Sequence, residues 1–235
     1  MSRSIRLHVA ATLASGTAIA TTRAQAHYLG TVMRLRVGAV VLLFNGRDGE
    51  FSARIEAIAH GGATLRVEQP TRGSEAEPDV WLAFALLKRD ATDLVVQKAT
   101  ELGVAEMHPV VTDHSNNHRM NAERLSAIAT EAAEQSERLT VPRLHAPRPI
   151  AELLADWPAR RRLFAAIERS GASPIATTAG PRALLVGPEG GFSPAELDAL
   201  LAHPLVMPAS LGPRILRAET ACIAGLALLQ AADCR

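Results

Sequence analysis

Two glycine-rich segments in the C-terminal half of the chain have the composition of ligand-binding loops. The first, GPEGGF at residues 187–192, follows the apolar run at 183–186 and precedes Ser193 and Pro194, a pair typical of a helix start. Such a strand–loop–helix connection lies at the carboxyl edge of a parallel sheet, where open α/β sheets bind ligands. The segment matches neither the phosphate-loop pattern GxxxxGKS/T nor the dinucleotide pattern GxGxxG. A ligand loop of another kind is predicted, with a purely structural turn as the alternative.

The second segment, LGPRILRAETA at residues 211–221, is another glycine-containing loop that leads into a helix. Arg214, Arg217 and Glu219 are crowded around the predicted start of this helix. Because Arg217 and Glu219 cannot both lie on an apolar helix face, at least one of them faces a polar site or solvent. The segment predicts either a second ligand loop or a helix whose first turn is stabilised by ion pairs.

A third group of polar residues lies on a helix predicted at 121–139. Glu131, Gln135 and Arg138 are spaced i, i+4 and i+7, which places them on one face of that helix. This face is too polar for a core, so it could contact a substrate or a partner. Glu134 and Arg138, also four residues apart, offer the simpler interpretation of a surface ion pair.

The N-terminal third has the pattern of a small β domain. Eight arginines against three carboxylates give residues 1–67 a net charge of +5, which suits either a nucleic-acid-binding surface or an ordinary solvated one. Residues 68–79 are acidic and contain two prolines, as expected for a linker. Period-two alternation and a glycine-containing turn at 45–49 predict a mainly β, barrel-like domain with one helix. Its strands are predicted at 4–9, 17–20, 37–44, 50–58 and 63–67, and its helix at 23–33.

After Pro78 strands alternate with helices, which predicts an α/β domain with a mostly parallel sheet. The run at 80–87 is continuously apolar, as in a strand that is covered on both faces. The next helix is expected at 90–102, with Asp90 or Thr92 as its N-cap and Gly103 just beyond its end. Further strands are predicted at 106–111, 162–167, 183–186 and 205–207, and further helices at 121–139, 149–156, after Pro194 and at 216–232.

Composition excludes several classes of protein. The 235 residues are 48% hydrophobic and 21% charged, the balance of a globular protein, and no apolar run reaches the length of a membrane span. Cys222 and Cys234 are too few for a disulfide framework or a cysteine-rich zinc site. His114 and His118 could ligate a metal from one helix face, whereas the Ser-Asn-Asn between them favours a loop. Neither a metal nor a membrane partner is therefore predicted.

The first 26 residues imitate a secretory signal, with arginines near the start and the triplet Ala24-Gln25-Ala26 as a possible cleavage site. However, Ile5, Leu7 and Val9 alternate with polar residues, which is typical of a strand and not of a signal sequence. The chain is therefore expected in the cytoplasm.

Five motifs in this order resemble one family. GPEGG, LGPRILRAETA, EAAEQSER at 131–138 and QKATELGV at 97–104 are similar to motifs of the bacterial 16S ribosomal RNA (uracil-N3)-methyltransferases. The fifth motif is in the N-terminal part, where HYL at 27–29 is followed by VMR at 32–34 and then by Asn45, Gly46 and Gly49. Each motif alone is weakly specific, but their order from about residue 4 to the end of the chain makes the resemblance strong.

The resemblance implies a PUA-like, RNA-binding β-barrel at residues 1–77 and a SPOUT-type α/β methyltransferase domain with a C-terminal trefoil knot at 78–235. It also implies a homodimer that uses S-adenosylmethionine to methylate N3 of one uridine in 16S rRNA of the small ribosomal subunit. By analogy the cofactor lies among three loops, and two of these are the glycine-rich loops described above. The implied cofactor-binding residues are Ile167, Glu168, Val186, Gly187, Pro188, Glu189, Gly190, Gly191, Leu211, Gly212, Arg214, Ile215 and Leu216.

The chemistry of N3 methylation suggests roles for charged residues in these motifs. Uracil N3 carries a proton at neutral pH, so a group must accept that proton or stabilise the negative charge on the flanking carbonyl oxygens. Arg138 and Arg217 suit charge stabilisation, with Arg138 acting across the dimer, and Glu219 or Glu189 suits proton acceptance. The residues expected to contact RNA are Arg6, Arg23, His27, Arg34, Arg36, Gln135 and Arg138.

Two alternatives to the enzyme remain. The chain could be an RNA-binding ribosome-assembly factor without methyltransferase activity, or a nucleotide-binding hydrolase. The intact glycines of both loops argue against the first, and the missing phosphate-loop lysine argues against the second.

Overall fold

The computed structural model describes residues 4–59, 61–115, 119–167, 171–175 and 180–231. The chain divides into two compact units. The first unit comprises Met1–Ala76 together with Ala133–Val141, and the second comprises Glu77–Ala132 together with Pro142–Arg235. The predicted division into 1–77 and 78–235 did not include the return of segment 133–141 to the first unit.

In its described part, the first unit contains one five-stranded sheet with the strand order β1-β3-β4-β5-β2. Strand β1 pairs with β3 in parallel, and the other neighbours are antiparallel. A short helix α1 (Arg23–His27) continues into a π-helical turn at Tyr28–Val32, in agreement with the helix predicted at 23–33. The strands are β1 (Arg6–His8), β2 (Ala18–Ala20), β3 (Val40–Phe44), β4 (Glu50–Ala59) and β5 (Gly62–Arg72).

The turn between β3 and β4 is stabilised by Asn45 and requires a glycine at position 49. The Asn45 side-chain oxygen accepts hydrogen bonds from the backbone N–H groups of Arg47 and Asp48, as in an Asx turn. Gly49 has a φ of +88°, and a Cβ atom at this position would lie 2.3 Å from the carbonyl oxygen of Arg72. Only glycine fits there, so the predicted turn is confirmed with its cause.

Arg6 joins β1 to segment 133–141 in the interior of the first unit. Its Nε donates to Glu50 Oε2 at 2.6 Å, and both side chains are only 4% exposed. Its Nη1 donates to the carbonyl oxygens of Ala133 and Glu134, and its Nη2 donates to that of Arg138. These carbonyls lie at and beyond the C-terminal end of a helix, where backbone acceptors lack helical partners and favour a cation.

The second unit is built on a parallel sheet with the strand order β12-β10-β11-β6-β7-β8, and β9 also pairs with β7. The predicted α/β class is therefore confirmed. The strands are β6 (Val80–Ala85), β7 (Glu106–Val111), β8 (Arg143–Leu144), β9 (Arg148–Pro149), β10 (Arg162–Ala166), β11 (Arg182–Val186) and β12 (Val206–Ala209). The helices are α2 (Arg89–Glu101), α3 (Ala122–Gln135), α4 (Ile150–Ala155), α5 (Pro194–Ala202) and α6 (Ala218–Gln230).

Local sequence explains some of the helix ends. Gly103 has a φ of +78° just beyond the end of α2, and Ser193 caps α5 in a capping box with Glu196, both as expected. The prediction for the start of α2 was wrong. Its N-cap is Lys88, without a side-chain cap, and the Thr92 hydroxyl donates to the carbonyl of Leu87.

Helix α3 is shorter than the helix predicted at 121–139, since it ends at Gln135. Glu137, two residues later, has a φ of +63°, a left-handed conformation that a continuing helix cannot accommodate. Arg138 is therefore not on the helical face that carries Glu131 and Gln135, which are both exposed.

Helix α6 packs closely on the sheet because of one glycine. A Cβ atom on Gly225 would lie 2.7 Å from Leu184 Cδ2 on strand β11. Cys222 on the same helix is 1% exposed, and burial raises the pKa of its thiol. Cys234 lies outside the described residues. Within the described ranges, none of the helices combines the length and apolarity that crossing a membrane requires.

Aromatic side chains cover the amino edge of the sheet in the second unit. The Trp81 ring lies 4.6 Å from the ring of His108, and the Arg161 guanidinium lies 3.6 Å above the Trp81 ring. Trp157 contacts both aromatic rings edge-on. Burial lowers the pKa of His108 to about 3, so its imidazole is neutral at pH 7.

Candidate functional site

The carboxyl ends of three adjacent strands define the site. Strands β12, β10 and β11 are neighbours in the parallel sheet and end at Ala209, Ala166 and Val186. Because parallel strands all end at the same edge, the loops that follow them come together there. Both glycine-rich segments predicted as ligand loops are among them.

Two pockets lie at this edge. The first, of about 390 Å³, lies between the loops that follow β10 and β12, and the second, of about 380 Å³, is next to it at the loop that follows β11. Both volumes are in the range of small-molecule sites. The first pocket is lined by Ala166, Ile167, Gly171, Ala172, Ala209, Ser210, Leu211, Gly212, Pro213, Arg214, Ile215 and Leu216. The second is lined by Ala166, Ile167, Val186, Gly187, Pro188, Glu189, Gly191, Phe192, Leu197, Ile215, Leu216, Arg217 and Ala218.

The two pockets share a wall formed by Ala166, Ile167, Ile215 and Leu216. This wall is apolar, whereas Glu189, Arg214 and Arg217 add exposed charges to the linings. Ile215 is 61% exposed, so the fold gains little from burying it. The arrangement suits a ligand that has both an apolar or aromatic body and charged groups.

A network of hydrogen bonds holds the GPEGG loop. Asp113 Oδ2 accepts a hydrogen bond from Ser193 Oγ at 2.5 Å, and the backbone N–H of Asp113 donates to Glu196 Oε1. His114 Nδ1 lies 3.1 Å from the carbonyl oxygens of both Gly190 and Gly191. Residues after β7 therefore fix the shape of a loop that is about 80 positions later in the chain.

Comparison with known proteins identifies the family. Residues 74–230 match the family model of an RNA methyltransferase domain, and residues 21–68 match an RNA methyltransferase PUA domain. A ribosomal RNA small subunit methyltransferase E of Rickettsia conorii is 35% identical over 206 residues, which is 86% of this chain and 84% of the relative. The chain belongs to the ribosomal RNA small subunit methyltransferase E family. The family resemblance drawn from the five motifs is thereby confirmed.

Solved structures agree with this placement. A methyltransferase of Legionella pneumophila in complex with the cofactor SAM has a TM-score of 0.90 and 29% identity, covering 98% of each chain. A ribosomal RNA small subunit methyltransferase E of Neisseria gonorrhoeae, bound to S-adenosylmethionine, has a TM-score of 0.89 and 26% identity, again over 98% of each chain. The α/β methyltransferase domain and the separate PUA domain are thus properties that this chain shares with its methyltransferase E relatives.

Most residues implied as cofactor contacts line the pockets of this methyltransferase E family member. Glu168 lies outside the described residues. Gly190 lines neither pocket, because a Cβ atom there would point to His114, at 3.1 Å from its Cβ. Gly191 lines the second pocket instead, with a φ of +70°.

The residues predicted as catalytic belong to two different units. Arg217 is the exposed N-cap of α6 and lines the second pocket, and Glu219 lies in the first turn of the same helix. Arg138 is in the first unit, where it is only 8% exposed and its Nη2 donates to Thr140 Oγ1 at 2.9 Å. It lines neither pocket of its own chain. Because α3 ends at Gln135, the expectation that Arg138 projects from a polar helix face is wrong.

The residues predicted to contact RNA also separate into two groups. Arg23, His27, Arg34 and Arg36 are exposed in the first unit, and Gln135 is exposed as well. Arg6 is buried against Glu50 and backbone carbonyls, as described above, so its guanidinium is not available to a phosphate. Arg138 is withdrawn from solvent in the same way.

Several site residues were missed by the sequence analysis. Ala209 is the last residue of β12, Ser210 and Pro213 follow it in the loop, and all three line the first pocket although no cofactor contact was predicted for them. The sequence could have predicted them, since they lie just after the strand predicted at 205–207, at the edge of the sheet where ligands bind. Asp113 and His114 had no such signal, because their partners lie far away along the chain.

Proposed function

We propose that this protein is an S-adenosylmethionine-dependent methyltransferase that modifies N3 of a specific uridine in 16S rRNA of the small ribosomal subunit. The observation that carries the proposal is the pair of adjoining pockets at the carboxyl ends of β10, β11 and β12. Support also comes from relatives of the same fold that were solved with S-adenosylmethionine bound.

The residues of the pockets fit this cofactor. Gly191 and Gly212 have positive φ angles of +70° and +120°, and a Cβ atom on either would meet no heavy atom within 4 Å. The absence of a side chain at these two positions therefore leaves open space at the pocket walls, which a bound cofactor could occupy. The apolar wall around Ile215 suits adenine and the ribose, and the exposed charges of Glu189, Arg214 and Arg217 suit the charged methionine portion.

When bound, S-adenosylmethionine would supply an electrophilic methyl group on sulfur. The protein must hold the uracil ring in line with that group and assist the loss of the N3 proton. Arg217 is suited to stabilise the negative charge that develops on the uracil carbonyl oxygens, because it is exposed beside the second pocket. Glu189 in that pocket, or Glu219 in the first turn of α6, is suited to accept the proton.

The function is tested with S-adenosylmethionine and two substrates, free 16S rRNA and small ribosomal subunits that lack the modification. Nucleoside mass spectrometry of the product RNA is expected to detect N3-methyluridine at one position. The alternative, a ribosome-assembly factor without methyltransferase activity, predicts RNA binding without S-adenosylmethionine binding in calorimetry. Methylation at another atom, or of another RNA, would reject the proposed substrate.

The PUA domain is proposed to position the RNA through its exposed cations. Arg23, Arg34 and Arg36 lie near one another in sequence, and exposed apolar side chains of Val32, Met33 and Val37 accompany them. Phosphate contacts by arginine fix the register of an RNA without reading its bases. Exposed apolar groups beside the cations can pack on unpaired bases.

Replacing Arg34 and Arg36 together by alanine is expected to weaken binding of 16S rRNA and to flatten its salt dependence. The slope of log K against log salt should fall by about 0.7–0.9 for each lost phosphate contact. Fluorescence anisotropy with a labelled RNA fragment at several salt concentrations measures this slope. Arg54→Ala with Arg66→Ala is the matched control, because both arginines are already paired with glutamates in this domain. An unchanged slope in the Arg34/Arg36 variant would remove these residues from the RNA interface.

The remaining features implied by the resemblance are proposed with it. A C-terminal trefoil knot is consistent with the path of the chain, which goes from edge strand β12 through residues 210–217 to α6, a helix that packs on β11 and β6. We further propose that the protein acts as a homodimer in the cytoplasm, where its ribosomal substrate is found. Light scattering of the purified protein should give twice the 25.0 kDa of one chain.

A further inference from the structure

Three side chains with metal-binding atoms converge at the amino edge of the sheet in the second unit. Glu106 and His108 lie two residues apart on β7, so they are on the same face of that strand. His145 follows β8, which pairs in parallel with β7 so that Glu106 is opposite Arg143 and Met107 is opposite Leu144. The backbone N–H of His145 continues the pairing by donating to the Met107 carbonyl at 2.9 Å.

The ligand atoms of these residues are already close. His145 Nε2 lies 2.5 Å from Glu106 Oε2, and His108 Nε2 lies 3.5 Å from the same oxygen. The two imidazole rings are stacked, with their centroids 4.1 Å apart and their planes at 13°. All three ligand atoms lie within 4.8 Å of one another. A small shift of the half-buried His145 side chain would bring them around one ion.

His108 has a nitrogen for which the protein provides no hydrogen bond. The residue is only 6% exposed, and its Nε2 is buried without a hydrogen-bond partner in the described structure. Buried nitrogens are nearly always satisfied, because an unmet hydrogen bond costs the full desolvation of the group. This Nε2 points towards the Glu106 carboxylate without making a hydrogen bond to it, as an unused metal ligand would.

The nearby positive charges are largely compensated. Arg161 pairs with Asp79 at 2.6 Å, and Arg148 pairs with Asp156 at 3.0 Å. Arg143 is exposed to solvent, which screens its charge. Glu106 Oε2, by contrast, lies within 3.5 Å of Nε2 of both imidazoles.

We propose that Glu106, His108 and His145 bind one divalent transition-metal ion of the zinc class. Two imidazole nitrogens and one carboxylate oxygen form a common zinc ligand set that leaves a fourth position for water. Metal bonds to His145 Nε2 and Glu106 Oε2 replace the hydrogen bond between these two atoms, and the ion satisfies His108 Nε2. The site is at the amino edge of the sheet, whereas the two pockets are at the carboxyl edge, so the ion ties β7 to segment 143–145 and takes no part in methyl transfer.

The test uses the full-length protein without an affinity tag, first treated with a chelator and then titrated with ZnCl₂ in a calorimeter. One Zn²⁺ per chain is expected to bind, and Co²⁺ at the same site should give the visible absorption bands of a four-coordinate ion. Glu106→Gln and His145→Ala are each expected to lose at least about tenfold in Zn²⁺ affinity, since loss of even an outer partner of a ligand costs 10–100-fold. His203→Ala is the matched control, because His203 lies outside the cluster at the end of α5.

Thermal unfolding provides a second measurement. Zn²⁺ should raise the melting temperature of the unaltered protein and of His203→Ala, but not that of the two cluster variants. The proposal is overturned if no stoichiometric Zn²⁺ binds, or if the cluster variants bind Zn²⁺ as well as the control does. Circular dichroism shows whether each variant is folded, so a loss of binding through unfolding is recognised. Neither result depends on S-adenosylmethionine or on methylation of RNA.

Discussion

Replacing Ile215 by tryptophan is expected to abolish S-adenosylmethionine binding while leaving the fold intact. Ile215 belongs to the wall that the two pockets share, so a larger side chain there obstructs both of them. Since the native side chain is 61% exposed, the substitution does not disturb the core. Affinity measured by calorimetry should fall by at least about 100-fold, equivalent to about 2.7 kcal/mol, and methylation of 16S rRNA should be lost with it.

Leu228→Trp provides the matched control for this substitution. Leu228 is an exposed residue of α6 that lines neither pocket, so the same increase in size should leave binding unchanged. Circular dichroism and the melting temperature establish that both variants are folded. If the folded Ile215 variant binds S-adenosylmethionine with the affinity of the control, the cofactor does not occupy these pockets.

The position of this site could be predicted because the order of strand, loop and helix along the chain determines the edge of the sheet at which the loop lies. A buried strand followed by a glycine-rich turn and a capped helix must place that turn at the carboxyl edge of a parallel sheet. The run at 183–186, the GPEGG loop and Ser193 satisfy this rule. The loop at 211–216 also contains a glycine and lies between a strand and a helix, although Arg217 makes no side-chain cap at the start of α6. The residues alone therefore predict two of the three loops.

Contacts between distant parts of the chain cannot be predicted from local sequence. Asp113 and His114 hold the GPEGG loop across about 80 residues, and no spacing in the sequence connects them to Ser193 or Gly190. The cluster of Glu106, His108 and His145 has the same origin. It depends on β8, a strand of two residues that is too short to show a hydrophobic period.

The position of Arg138 was predicted wrongly because the φ angle of Glu137 is incompatible with a helix that continues to residue 138. The spacing from Glu131 to Arg138 fits a continuous helix, but the left-handed conformation of Glu137 ends that continuity. Segment 133–141 then belongs to the first unit, where Phe44, Ala133 and Leu139 form a small apolar cluster. Because the hydrophobic pattern of such a short segment is ambiguous, its place in the fold is decided by tertiary packing.

That packing leads to an expected loss of stability when Arg6 is replaced by methionine. The change removes one member of a buried ion pair and leaves the Glu50 carboxylate without its cation, 4% exposed. It also removes the hydrogen bonds to the carbonyls of Ala133, Glu134 and Arg138 and the contact of the guanidinium with the Phe44 ring. Breaking a buried pair from one side costs about 3–5 kcal/mol, so the first unit should become markedly less stable.

Hydrogen exchange followed by mass spectrometry measures the loss of stability within the first unit itself. Both tryptophans, Trp81 and Trp157, lie in the second unit, so tryptophan fluorescence would not report on the first. Exchange protection of the β4 and β5 amides should fall by more than about 100-fold in Arg6→Met, which corresponds to about 3 kcal/mol. Arg54→Met, which breaks the exposed pair with Glu68, should change the free energy of opening of these strands by less than about 1 kcal/mol.

The double substitution Arg6→Met with Glu50→Met distinguishes an ion pair that stabilises the unit from one that is only costly to break. Replacing both members of a buried pair by apolar residues is often neutral, because neither charge is then left buried alone. The double variant should therefore recover part of the protection lost in Arg6→Met, although the carbonyls of segment 133–141 still lack their donor. Equal protection in Arg6→Met and Arg54→Met would show that Arg6 does not hold segment 133–141 in the first unit.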